Sequence, residues 1–163
     1  MICAFSGHRP QSLPWQNDEE DSRCAALKLM LEREIEKVYH EGCRTFSCGM
    51  ARGCDLYFAE VVLHLKQTGR CPDAALRALL PCPEQTSRWT EAEQSRQKKL
   101  LLACQSVRVL EPRYTTGCML RRNRALVDEC DVLMTVFCGT EGGTAATVRY
   151  AKRCGKTILP LWL

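Results

Sequence analysis

The chain is expected to fold as a single three-layer α/β domain of the Rossmann-like kind, spanning residues 1–163 with a mostly parallel sheet. Three observations lead there. Short apolar runs alternate with segments of helical spacing along the whole chain, the connections between them are short, and three of the runs end in glycine-bearing polar loops. Alternation of this kind produces parallel strands covered by helices on both faces. A length of 163 residues fits one domain and is enough for a substantial core.

Ile2-Cys3-Ala4-Phe5 reads as a short buried strand, followed by Ser6-Gly7-His8-Arg9-Pro10 and a loop through Trp15 to the acidic run Asp18–Asp21. From about Ser22 the spacing turns helical, with Leu27, Leu31, Ile35 and Val38 on one face and Gly42 as the natural C-terminal cap. Thr45-Phe46-Ser47 is a second strand, leading into Gly49-Met50-Ala51-Arg52-Gly53-Cys54-Asp55 and then a largely apolar helix that stops near Gly69. Ala74 to Leu80 is a third strand, although its first half carries a helical alternative. Thr90-Glu91-Ala92-Glu93 is a capping box opening a helix that ends near Cys104. Val107–Leu110 makes the fourth strand. A polar loop, Glu111 to Gly117, precedes a helix carrying Arg121, Arg122, Asn123 and Asp128. Val132–Phe137, a glycine-rich turn, a helix through Ala145, Val148 and Ala151, and a last strand from Thr157 complete the pattern.

Composition narrows the function. Hydrophobic residues are 45% and charged residues 26% of the chain, as in ordinary globular domains. No apolar run approaches the roughly 20 residues that span a bilayer, and the N-terminus lacks the pattern of a signal peptide. A cytoplasmic protein is therefore expected. A net charge of +4 is small and scattered, so nucleic acid is not the expected partner. The 12 cysteines include no C-x-x-C pair, and His8, His40 and His64 stand far apart, so no metal site is expected. Most of the cysteines are expected to be buried, reduced thiols serving as small apolar residues.

The glycine-rich turn after the fifth strand, Gly139-Thr140-Glu141-Gly142-Gly143-Thr144, has the strand–turn–helix arrangement that aims unpaired backbone N–H groups at one point. Gly142 and Gly143 allow positive φ and close approach of a ligand, and Thr144 and Thr147 offer hydroxyls. This is expected to be a phosphate-binding loop. Two other strand ends carry similar chemistry: Ser6-Gly7-His8-Arg9, and Gly49-Met50-Ala51 with Gly53 and Asp55. In a parallel sheet such loops converge beyond the carboxyl ends of the strands. Arg122 and Asn123 open the helix after the fourth strand, near the same edge. If the site is catalytic, the candidates are Asp55, Glu60 and Asp128 as acid or base, with Arg122 on phosphate.

Taken together in this order, these residues resemble the YpsA-like branch of the SLOG superfamily, which joins the Smf/DprA proteins with the lonely-guy phosphoribohydrolases. The likeness is carried by Ser6–Arg9, Gly49–Asp55, Ala59-Glu60, Gln85, Trp89, Arg122-Asn123, Val127-Asp128, Asp131, Gly142-Gly143-Thr144, Tyr150-Ala151 and Gly155-Lys156. The resemblance implies a Rossmann-like fold binding a nucleotide, ADP-ribose or a dinucleotide, with Gly142, Gly143 and Thr144 on phosphate. It places Arg122 where the lonely-guy enzymes keep an arginine for nucleotide binding and catalysis. Those enzymes carry a proline and paired glycines before the Gly-Thr, and acidic residues just after it. This chain has Gly139, Thr140 and Glu141, then Ala146 and Thr147. Cleavage of a glycosidic bond needs a carboxylate beside the developing positive charge. The first expectation is therefore a sensor or regulator that needs no cofactor beyond a bound nucleotide, with a homodimer or higher homo-oligomer as its expected assembly. A phosphoribohydrolase-like enzyme is the second, and single-stranded DNA binding, as in the DprA relatives, the third.

Overall fold

The computed structural model describes all 163 residues. In chain order the elements are β1 (Ile2–Ser6), α1 (Ser22–His40), β2 (Thr45–Cys48), α2 (Cys54–Gln67), β3 (Ala75–Leu80), α3 (Glu91–Ala103), β4 (Ser106–Val109), α4 (Cys118–Glu129), β5 (Val132–Phe137), α5 (Gly143–Arg153) and β6 (Thr157–Trp162). Short 3-10 turns at Pro10–Ser12 and Pro83–Thr86 punctuate the loops.

The six strands form one sheet in the order β4-β3-β2-β1-β5-β6, and every neighbouring pair is parallel. The chain winds outward from β1 to β4, then returns to the far side of β1 for β5 and β6. Right-handed crossovers put the helices of the outward path on one face and those of the return path on the other. Accordingly α1 packs on α2 and α2 on α3, while α4 packs on α5. Alternating side chains separate two cores. Cys3 and Phe5 join the larger core of 31 buried residues, where Phe5 stacks on Phe58 at 4.5 Å, whereas Ala4 faces the smaller one with Leu126, Val127 and Leu133.

Local chemistry sets the boundaries. Leu27, Leu31, Ile35 and Val38 of α1 are buried, and Gly42 follows the helix with φ 113°. The capping box at α3 is complete: Glu93 N–H donates to Thr90 Oγ1 at 3.2 Å and Thr90 N–H to Glu93 Oε2 at 2.9 Å. The helical alternative for the start of β3 loses because Ala75 and Leu76 pair with β2, Ala75 N–H donates to Arg44 O and Leu76 O accepts from Gln105 N–H, both at 2.8 Å, which satisfies its backbone. No helix is long and apolar enough to cross a membrane.

Candidate functional site

Strand order reverses between β1 and β5, and a cleft of about 310 Å³ opens beyond their carboxyl ends. Its walls are Ser6–Arg9 after β1, Ala51 and Asp55 at the start of α2, Met119, Leu120, Arg122 and Asn123 in the first turns of α4, and Glu141–Thr144 at the start of α5. Three helix N-termini thus border one cleft, each carrying a partial positive charge.

At α5 the N-cap is Gly142, with φ 150° and ψ −166°, a region open essentially to glycine alone. Gly139 also has positive φ, at 82°. Gly143 does not, which corrects the expectation that both members of the pair would use that freedom: Gly143 is the first helical residue, and a Cβ there would meet nothing within 4 Å. No side chain caps α5, and the backbone N–H groups of Gly143, Thr144 and Ala145 have no partner; the first bonded amide is Ala146, which donates to Gly142 O at 3.0 Å. Thr144 is buried at the cleft. Thr147 is engaged elsewhere, its hydroxyl donating to Gly143 O at 2.8 Å and accepting from Asn123 Nδ2 at 3.1 Å. Thr140 lies outside the cleft wall, 3.1 Å from Cys138 Sγ.

The loop after β2 is held from beneath. Gly49 O accepts from Gln85 Nε2 at 2.9 Å and from the Arg122 guanidinium, and Met50 O accepts from Gln97 Nε2 at 3.1 Å. Gln97 Nε2 also reaches Gln85 Oε1 at 3.1 Å. Met50 is fully buried with φ 53°, a left-handed conformation that costs a non-glycine residue about 1–2 kcal/mol. A Cβ on Gly49 would fall inside the Arg122 guanidinium, and one on Gly53 (φ 85°) would stand 2.7 Å from His8 O. The β1 and β2 loops are therefore in backbone contact, with Cys54 N–H donating to His8 O at 3.1 Å.

His8 joins the third loop as well: Cys138 N–H donates to its Nε2 at 3.2 Å. Burial lowers the His8 pKa, so the neutral ring that can accept this bond is favoured. Arg9 is exposed and makes no ion pair or hydrogen bond through its side chain. Arg122 is only 3% exposed; besides Gly49 O it donates to Asn123 Oδ1 at 2.7 Å. Burial lowers the Arg122 pKa against the pull of Asp55, and burial raises the Asp55 carboxyl against the charge of Arg122 and a hydrogen bond from Ala51 N–H at 3.2 Å.

Of the carboxylates considered for acid or base work, Asp55 reaches the cleft and two do not. Glu60 points from α2 toward α3, where its oxygens take a fork from Arg96 at 2.6 and 2.8 Å. Asp128 lies at the far end of α4, accepting from Tyr150 OH at 2.7 Å. Glu141, on the cleft rim, pairs with Arg149 at 3.0 Å. Sequence reasoning missed Met119 and Leu120 as cleft walls and Gln97 as a support. Gln97 had a readable signal, since it lies one helical turn before Leu100 and the two are the buried residues of α3.

A model of the YspA SLOG family matches residues 3–156. A UPF0398 protein of Halalkalibacterium halodurans is 34% identical over 113 residues, 68% of this chain and 59% of that protein. A second UPF0398 protein, from Bacillus licheniformis, is 24% identical over 139 residues, 83% of this chain and 74% of its own length. The chain thus spans about three-fifths of the first of these relatives. Among solved structures, DNA processing protein A from Helicobacter pylori, described for its single-stranded DNA binding mode, superposes with a TM-score of 0.63 at 16% identity, covering 98% of this chain and 64% of that one. DNA processing protein A from Streptococcus pneumoniae gives 0.61 at 14% identity, over 98% and 49%. These two likenesses carry the fold.

Proposed function

This chain belongs to the YspA SLOG family, and from that premise we propose that it binds a nucleotide or nucleotide-derived ligand at the cleft between β1 and β5, as a sensor or regulator. The observation that supports this most is the start of α5. The partnerless backbone N–H groups of Gly143 and Thr144 border the cleft beside a glycine-only backbone conformation, with that of Ala145 next in the chain, while Arg9 also lines the cleft and its side chain is free. Such a group of donors suits phosphate, because the amides and the helix dipole act on the same oxygens. Binding needs no group that the cleft lacks. Turnover needs a carboxylate at the ribose, and Glu60 and Asp128 are both committed elsewhere.

Mass spectrometry of small molecules released from freshly purified protein, followed by calorimetry with each candidate, tests the reading. Nucleotide recovered near one equivalent supports it; no binding of any nucleoside phosphate at millimolar concentration refutes it. Asp55 keeps the hydrolase reading testable, since it is the buried carboxylate at the cleft. Chromatography for free base settles that alternative: steady base release from a nucleoside monophosphate, lost in Asp55→Asn, would make the protein an enzyme.

A further inference from the structure

A second groove, of about 490 Å³, lies beside the phosphate cleft and is bordered by Arg52, Arg88, Trp89 and Tyr114. Arg9 and Met119 line both spaces, and a narrow hollow of about 40 Å³, walled by Arg9, Ala51, Arg52 and Trp89, occupies the ground between them. The cleft and the groove therefore form one trough with Arg9 at its waist. Its two ends differ in chemistry: unpaired amides at α5, and aromatic rings with guanidinium groups at the other end.

We propose that this groove is the base-binding end of the ligand site, so that the ligand is a nucleoside diphosphate or a longer derivative. Its base would lie against Trp89 and its phosphates would run past Arg9 to the amides of α5. This assignment rests on the nucleotide-binding reading of the cleft. Trp89 is positioned rather than loose: its N–H donates to Thr86 O at 3.0 Å, its carbonyl accepts from Gln94 Nε2 at 3.2 Å, and Arg52 stands over its ring at 5.7 Å. Arg52 is in turn held by Glu93 at 3.5 Å. Across the groove the Tyr114 N–H donates to Glu84 Oε2 at 3.0 Å, which ties the loop before α4 to the turn before Trp89, while Tyr114 is 60% exposed. Arg88 is exposed and has no ion pair, as is Arg9. Aromatic faces accept any base, and guanidinium groups stack on bases as well as meeting phosphate. A site for inorganic phosphate alone would have no use for a half-buried Trp89 and an exposed Tyr114 along one groove. The two free arginines argue for more than one phosphate.

Calorimetry with a base-free probe and a base-bearing one separates the two ends. Pyrophosphate reports the cleft, ADP reports cleft and groove together, and oligothymidylate reports extended single strands. ADP is expected to bind at least tenfold more tightly than pyrophosphate. Trp89→Ala should abolish that advantage while leaving pyrophosphate affinity within about twofold, and Trp89→Phe should restore most of it. Arg88→Ala, at an exposed residue with no partner to lose, should weaken ADP several-fold and serves if Trp89→Ala does not fold. Pyrophosphate binding with no gain for ADP, or equal losses of both in Trp89→Ala, overturns the groove assignment and leaves the cleft standing. Binding of neither probe overturns both. Tighter binding of oligothymidylate than of ADP, with the same dependence on Trp89, overturns the small-ligand assignment in favour of single-stranded DNA.

Discussion

Replacing Arg122 by alanine separates two roles that the sequence cannot distinguish. As a phosphate contact, the arginine would affect affinity and leave the fold alone. In the structure its guanidinium is buried and donates to Gly49 O and Asn123 Oδ1, with Asp55 supplying a nearby negative charge. Hydrogen bonds from a charged group contribute about 1.5–3 kcal/mol each, and removing one member of a buried charged pair costs about 3–5 kcal/mol. Gly49 O keeps its bond from Gln85, which reduces the loss. An overall destabilisation of about 3 kcal/mol follows for Arg122→Ala, a large share of the 5–15 kcal/mol typical of a domain. With a urea slope of about 2 kcal/mol/M the midpoint should fall by about 1.5 M. The corresponding thermal shift is about 6–12 °C. Arg122→Lys keeps the charge without the planar fork and should lie between. Urea unfolding followed by far-UV circular dichroism measures this directly. A midpoint within about 0.3 M of the parent protein, a change too small for any buried strut, together with lost ligand affinity, would refute the structural role.

Three further outcomes are expected. Because the folded-state pKa of His8 is depressed below its unfolded value of about 6.5, its contribution to stability is complete above that pH and declines as pH falls toward the folded value. Protonation also removes the acceptor for Cys138 N–H, so stability and nucleotide affinity should both drop on acidification from pH 7 to 5, and His8→Gln should flatten the slope of stability against pH. Persistence of the same slope in His8→Gln would assign the effect to another group. Gly142→Ala should destabilise by about 1–3 kcal/mol through backbone strain, whereas Gly143→Ala should shift stability by less than about 0.5 kcal/mol and act, if at all, on ligand affinity; equal thermal shifts for the two would contradict this assignment. Nine of the 12 cysteines are buried and only Cys138 and Cys154 are exposed. Burial pushes Cys104 and Cys130 up to about 11. A thiol reagent at neutral pH should therefore find two fast groups in the native protein and all 12 after unfolding without reductant; recovery of only a few would mean disulfides.

The sheet and its helices were legible because both periodicities were strong. Leu27, Leu31, Ile35 and Val38 define one helical face whatever lies beneath it, and the Thr90 capping box is complete within four residues. The cleft was legible in outline for a topological reason, since loops at the ends of parallel strands converge. Side-chain direction was not. Arg122, Glu60 and Asp128 sit in sequence as a ligand contact and two catalytic acids would, yet their partners Gly49, Arg96 and Tyr150 lie 73, 36 and 22 positions away. Nothing local encodes such pairings. The same holds for the pair Gly142-Gly143, two identical residues of which only the first takes the unusual backbone conformation, because the helix begins between them.

The position of β1 between β2 and β5 has a consequence for how the protein is made. The strands from β1 to β4 can pair with one another as they emerge, but one wall of the cleft waits for residues 132–144, and the His8–Cys138 bond closes a separation of 130 positions. Loop-closure entropy opposes such a contact until most of the domain is in place. A molecule that bridges the two walls therefore recognises only finished chains. Binding of the proposed ligand would be thermodynamically linked to completion of the fold, and such a ligand present at 100 times its dissociation constant would add about 2.7 kcal/mol to global stability. Cells depleted of that ligand would hold the same polypeptide in a form more readily unfolded and degraded, so the abundance of the protein would itself follow the concentration of what it binds.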